Sequence, residues 1–267
     1  MPFDAAAYLD RIGWRGRPEP SLDVVTGLMR AHMRAIPFEN IDVLLGRGIR
    51  VDLDSVSAKL VTARRGGYCF EHATLFAAAL AQAGFAPIAH SARVVMVTPR
   101  SAAPRTHMFL SVTIDGTTYV LDPGFGGHGP LVPLPLVEQR EIREGSDIHR
   151  LVRRDGEWVL ETLIGGTMTP LWTSTLEADS PMDFLMANHF TSTWPESPFV
   201  NRLMLRALTP DGRVSVMNRD VTVLRGAASE KRELADRAAL RMLLVEHFGF
   251  DLPEAEGVRV PTVPDWC

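Results

Sequence analysis

The sequence predicts an α+β protein in three parts: a helical first third, a middle of antiparallel strands and a mixed α/β end. Three observations carry this. Apolar residues recur at helical spacing as far as Gly84. Beyond Gly84 come short runs rich in Val, Ile and Thr, broken by Asp-Gly pairs. From about Asp183 the two patterns mix. The boundaries implied are 1–84, 85–183 and 184–267.

Asp4 stands where it can cap a short helix that stops at Gly13. Ser21 caps a second helix, with Leu22, Val25, Met29, Met33 and Ile36 inward, and Pro37 ends it. Asp54 reads as the cap of a third, with Val56, Leu60 and Ala63 inward. A fourth starts near Cys69 and runs to Gly84, a C-cap glycine.

In the middle, residues 92–97, 106–114, 118–122, 148–154 and 157–164 read as strands of an antiparallel sheet or small barrel. Asp115-Gly116 and Asp155-Gly156 are hairpin turns. The Pro-rich stretch 129–136 is a loop or connection. In the last part a short helix follows Asp183, and strands turn at Asp211-Gly212. A long helix is expected from Glu230 to His247, stopped by Gly249. It would turn Leu234, Ala238, Met242 or Leu243, and Val245 inward.

With 267 residues, 46% hydrophobic and 22% charged, the chain suits a soluble globular protein with a sizeable core. A net charge of −4 gives no basic field, so nucleic acid is not an expected partner. No apolar run reaches the ~18–20 residues that span a bilayer, and the N-terminal stretch does not read as a secretory leader. The expected compartment is therefore the cytoplasm, where thiols stay reduced. The two cysteines, Cys69 and Cys267, make no disulfide framework. Cys267 reads as an exposed tail. CxxC, HExxH and HxH are all missing, so no metal is expected.

Cys69 opens a helix behind Gly66 and Gly67. At that position the helix dipole and free N–H groups favour a thiolate, and the glycines allow a tight turn and close approach of a substrate. A lone cysteine there reads either as packed core or as a nucleophile. A nucleophile needs a base and an orienting group. His72 shares the helix face of Cys69 but reads as a partly exposed helix histidine.

His107 is the better candidate, on strand parity. If Asp115-Gly116 is a two-residue loop, Ile114 pairs with Thr117. Met108, Leu110, Val112, Ile114, Tyr119 and Leu121 then share one face. His107, Phe109, Ser111, Val120 and Asp122 share the other. Asp122 becomes the diagonal neighbour of His107, within about 7–8 Å at Cβ. An aspartate on one imidazole nitrogen presents the other to a thiol. The alternative is a polar pair on a solvated sheet face.

The stretch DPGFGGHGP, 122–130, is a glycine-rich loop after a strand, able to offer N–H groups to an anion or a carbonyl. Phe125, and Phe38 in IPFEN, are aromatics on turns and pocket candidates.

Five motifs carry a resemblance: PFEN (37–40), RGGYCFE (65–71), THM (106–108), DPGFGG (122–127) and SPFV (197–200). In order and spacing they resemble the arylamine N-acetyltransferase family over essentially the whole chain. The resemblance implies a helical first domain, a β-barrel second domain and an α/β lid around a cysteine-protease-like core. It implies a Cys–His–Asp triad at Cys69, His107 and Asp122, with no metal.

The implied reaction is ping-pong. Acetyl-CoA acetylates Cys69, and an arylamine, arylhydrazine or N-arylhydroxylamine takes the acetyl group, a xenobiotic-metabolising role. Phe38, Val95, Met96, Gly124, Phe125, Gly126 and Gly127 are the implied substrate or CoA contacts, and Arg64–Glu39 an implied structural ion pair. The protein would act as a monomer or homodimer. Pro123 stands where the family usually has valine, which removes one loop N–H. Rival readings are a macrolactam-forming amide synthase of the same fold, a cysteine peptidase or transglutaminase-type acyltransferase, and a non-catalytic binding protein. Papain-like spacing of ~130–150 residues from cysteine to histidine is absent.

Overall fold

The computed structural model describes residues 3–17, 19–226 and 228–266. Cys267 lies outside them. The first part holds α1 (Ala5–Arg11), α2 (Leu22–Ala35), α3 (Ile41–Leu44), α4 (Leu53–Ser57) and α5 (Cys69–Gln82). Asp4 accepts the Ala7 N–H at 2.9 Å, and Ser21 accepts that of Val24 at 3.3 Å. The cap of α4 is Asp52 and not Asp54: Asp52 has extended backbone and accepts the Ser55 N–H at 3.0 Å. Leu22 and Ala63, at helix ends, are exposed where inward positions were expected.

The middle is a nearly closed barrel of eight strands. They are β2 (Ile88–Val94), β3 (Arg105–Ile114), β4 (Thr117–Leu121), β5 (Leu134–Pro135), β6 (Ile142–Glu144), β7 (Asp147–Arg154), β8 (Glu157–Ile164) and β9 (Thr167–Ser174). Their order is β5-β4-β3-β2-β9-β8-β7-β6. Glu138, just past β5, bridges to Leu151 of β7 and draws the ends together. Strand β9 has no counterpart among the strands expected from the sequence. Pro170 interrupts its pattern, and the structure absorbs that proline where the register to β8 slips.

The hairpin register is the one a two-residue loop requires, with Ile114 opposite Thr117 and Leu110 opposite Leu121. Both of its faces are buried. Met108, Leu110, Val112, Ile114 and Leu121 pack on the core of α2 and α5, while Phe109 and Val120 line the barrel interior. The face carrying His107 is therefore not solvated.

The last part holds α6 (Pro181–Thr193), α7 (Pro198–Asn201), β10 (Met204–Thr209), β11 (Gly212–Met217), β12 (Asp220–Arg225), β13 (Ala228–Glu233) and α8 (Arg237–Leu243). The helix expected from Glu230 starts only at Arg237, capped by Asp236, which accepts the Ala239 N–H at 2.8 Å. Residues 228–233 instead form an exposed edge strand whose charges suit that position. With the start moved, Leu240, Leu243, Leu244 and Phe248 are buried, and Ala238, Met242 and Val245 face solvent.

This sheet is completed from the first part of the chain. Strand β1 (Phe38–Glu39) pairs antiparallel with β10, Phe38 opposite Arg206 and Glu39 opposite Leu205. Phe38 also bridges to Gly67, just ahead of α5. Among the described residues no helix is long and apolar enough to cross a membrane.

Candidate active site

Cys69 is the first residue of the 14-residue helix α5 and is only 3% exposed. The Tyr68 N–H ahead of it donates to Glu71 Oε2 at 3.0 Å, which fixes the helix start. Gly66 and Gly67 do admit a close approach, but of the protein itself. A Cβ on Gly66 would lie 2.2 Å from the Pro37 carbonyl oxygen, and one on Gly67 would lie 2.6 Å from Glu71 Oε2.

Beneath this turn lies a buried charge cluster. Lys59 Nζ meets Glu71 at 2.8 Å and Asp42 at 2.9 Å, and Arg65 meets Glu39 at 2.6 Å and Asp42 at 2.9 Å. The partners of Glu39 are thus Arg65 and, at 3.8 Å, Lys59. Arg64 is exposed, and its left-handed backbone (φ 54°) turns it away.

His107 sits opposite Ala92, where the β2–β3 register slips and leaves Thr106 as an extra residue. Such a bulge bends the strand, and the Thr106 carbonyl lies 3.9 Å from Cys69 Sγ. His107 Nε2 is 3.0 and 2.9 Å from the two oxygens of Asp122, leaving Nδ1 for the thiol. Burial disfavours a charged His107. The Asp122 carboxylate and the hydrogen bond with Cys69 outweigh it and raise the imidazole to about 10.

Trp172 completes the arrangement and was not legible in the sequence. Its Nε1–H donates to Asp122 Oδ2 at 2.9 Å. Its ring stacks on Phe109 with centroids 4.5 Å apart, and Phe109 lies nearly parallel to His107. A buried tryptophan needs an acceptor, but nothing in the chain says that a residue 50 positions away supplies it.

The glycine loop closes over this pair. Gly124 packs on Cys69, and a Cβ there would lie 2.6 Å from Cys69 Cα. Phe125 meets His107 edge-on, centroids 5.2 Å apart. Gly126 adopts φ 73° against the Phe38 ring, and Gly127 is exposed. Phe38 and Tyr68 both pack on Phe199 of the SPFV motif. Pro123 is buried and leaves Asp122 in reach of His107. Val95 and Met96 stand just past β2, Val95 half-buried with its N–H on the Leu171 carbonyl, Met96 exposed.

His72 is buried, not a partly exposed surface histidine. The Pro37 carbonyl can only accept, which orders a chain of hydrogen bonds. His72 Nε2–H donates to Pro37 O (3.2 Å), His32 Nε2–H to His72 Nδ1 (2.9 Å) and Tyr8 O–H to His32 Nδ1 (3.0 Å). Both histidines are neutral. Burial lowers His72 to about 4 and, aided by the neighbouring His72 and Arg11, lowers His32 well below its ordinary value.

Comparisons with known proteins agree on one family. A family model described as N-acetyltransferase matches residues 21–257. The chain is 38% identical to the arylamine N-acetyltransferase of Mycobacterium tuberculosis, over 95% of this chain and 92% of that one. It is 32% identical to the Salmonella typhimurium protein named arylamine N-acetyltransferase / N-hydroxyarylamine O-acetyltransferase, over 94% and 90%. The structure of Mycobacterium marinum arylamine N-acetyltransferase in complex with CoA superposes with a TM-score of 0.89 at 34% identity, over 94% of each chain. A fold, a motif order and a sequence similarity that all extend over nearly the whole chain have one explanation: it belongs to the arylamine N-acetyltransferase family of acyltransferases.

Proposed function

We propose that this protein moves an acetyl group from acetyl-CoA to an arylamine, arylhydrazine or N-arylhydroxylamine in two steps through acetyl-Cys69. The observation that carries this is the two-oxygen hold of Asp122 on His107 Nε2, with Nδ1 left for Cys69. His107 is then an imidazolium at neutral pH, and a cation and a helix N-terminus beside a cysteine are the surroundings that favour attack by its thiolate form. The thiolate sulfur bonds the acetyl carbon and the thioester bond to CoA breaks. His107 gives its proton to the departing CoA sulfur. Now neutral, it takes a proton from the attacking amine as the new C–N bond forms and the bond to Cys69 breaks. The original ion pair is restored.

In this reading residues 1–84 carry the nucleophile, 85–183 carry His107 and Asp122, and 184–267 cover them. Phe38, Phe125 and the glycine loop would flank the acceptor, and Val95 and Met96 would form the outer rim. The test is an intact mass after incubation with acetyl-CoA alone. One added acetyl group is expected, absent from Cys69→Ala. A folded wild-type protein that gains nothing would end this reading.

A further inference from the structure

Among the described residues, one cation near the glycine loop, Arg206, makes no direct ion pair. Arg206 lies on β10, and its neighbours Leu205 and Ala207 point into the opposite, apolar core. The Arg206 side chain faces the loop, is 5% exposed, and donates from Nη1 to the Gly126 carbonyl. Its Nε and Nη2 are buried without a partner among the described residues. These two N–H groups share one edge of the guanidinium, the edge that grips a carboxylate or phosphate with two parallel hydrogen bonds.

Among the described residues, Asp147 is the one carboxylate whose charge favours the charged guanidinium, and no hydrogen bond joins the two. Asp147 is already held by Arg213 at 2.8 Å. His149 Nε2–H is spent on the His128 carbonyl at 2.8 Å. Burial, and then the charges of Arg213 and Arg206, lower His128. A buried, unpaired guanidinium is costly, so its retention calls for an anion. Gly126 is two residues from Gly124, which packs on Cys69, so two residues of chain, at most about 7 Å, separate the loop's contact with Arg206 from its contact with the nucleophile. Gly127, the next residue along the loop, is exposed, and a Cβ there would meet nothing within 4 Å.

Resting on the acetyl-transfer reading, we propose that the free edge of Arg206 is a subsite for an oxyanion carried by a substrate, a carboxylate on the acceptor or a phosphate on the acyl donor. The guanidinium is aimed by Gly126 and reads charge beside the transfer site.

The test compares wild type with Arg206→Met and with Arg206→Lys, which keeps the charge but loses the fork. Two rate ratios are measured: Cys69 acetylation by acetyl-CoA against the uncharged donor p-nitrophenyl acetate, and transfer to 4-aminobenzoate against aniline. At least one ratio should fall about tenfold or more in Arg206→Met, and partly in Arg206→Lys. A fall with acetyl-CoA assigns the phosphate, and a fall with 4-aminobenzoate the carboxylate. Unchanged ratios, even with all rates lowered together, would leave Arg206 as a mere tie for the loop and overturn the proposal.

If the variants do not fold, thermal melts of wild type with millimolar pyrophosphate or benzoate decide. A higher melting temperature with either supports the subsite, and no rise with both overturns it. A wild type that p-nitrophenyl acetate acetylates and acetyl-CoA does not would instead count against the acetyl-CoA reading alone.

Discussion

Asp122 Oδ2 accepts two hydrogen bonds at 2.9 Å, from His107 Nε2 and from Trp172 Nε1. The tryptophan therefore fixes the carboxylate that fixes the histidine. Trp172→Phe keeps the stack on Phe109 and removes only the N–H. We expect a folded protein with kcat reduced about tenfold, while Asp122→Asn, which favours the wrong tautomer, should lose roughly 10³–10⁴. Equal kcat for wild type and Trp172→Phe would show that Asp122 needs no second anchor.

Glycines of one loop should differ sharply. A Cβ at Gly124 would collide with Cys69 Cα, which is backbone and cannot swing aside. Gly124→Ala should therefore cost about 1–3 kcal/mol, the range of other overpacked sites. Gly127→Ala, facing open space, should melt within a degree or two of wild type. Urea titrations of both variants check the contrast.

Two lysines in one chain make a similar pair. Lys59 neutralises Glu71 and Asp42 inside the protein, whereas Lys231 stands on the exposed edge strand β13. Lys59→Met leaves buried carboxylates without their cation and should cost about 3–5 kcal/mol. Lys231→Met should stay within about 0.5 kcal/mol of wild type. A small effect at Lys59 would mean that Arg65 alone neutralises the cluster.

The pH dependence follows from His32 and His72. Both are held neutral in the folded protein, His72 down to about 4, against an ordinary value of 6.5. Between those limits the unfolded chain binds more protons than the folded one. Stability from this pair is therefore full above pH 6.5 and falls as pH drops toward 4, by up to roughly 1.4 kcal/mol per pH unit for each histidine. Denaturation midpoints between pH 7 and 4 measure it. A flat profile would contradict the neutral chain from Tyr8 to Pro37.

Local rules made much of this legible. Asp4 and Ser21 cap where their types and spacing say, and the Asp115-Gly116 loop sets a register that brings His107 toward Asp122. What escaped depends on partners distant in sequence. His72 looks like a surface residue until His32 and the Pro37 carbonyl are seen to take its two nitrogens. Trp172 lies on β9, a strand that Pro170 disguised. The bulge at Thr106 exists only through pairing with β2. Residues 228–233 are polar enough to pass for a helix start, and only β12 makes them a strand.

The two-residue strand β1 has a consequence for cutting the chain. Phe38 and Glu39 cover one flank of β10, and Glu39 in turn is gripped by Arg65. A fragment of residues 184–267 would start life with that flank bare, an invitation to stack with its own kind. Residues 1–84 would lose the same contact from the other side. Complementation of the separated pieces, rather than autonomous folding of either, is what this stitch prescribes.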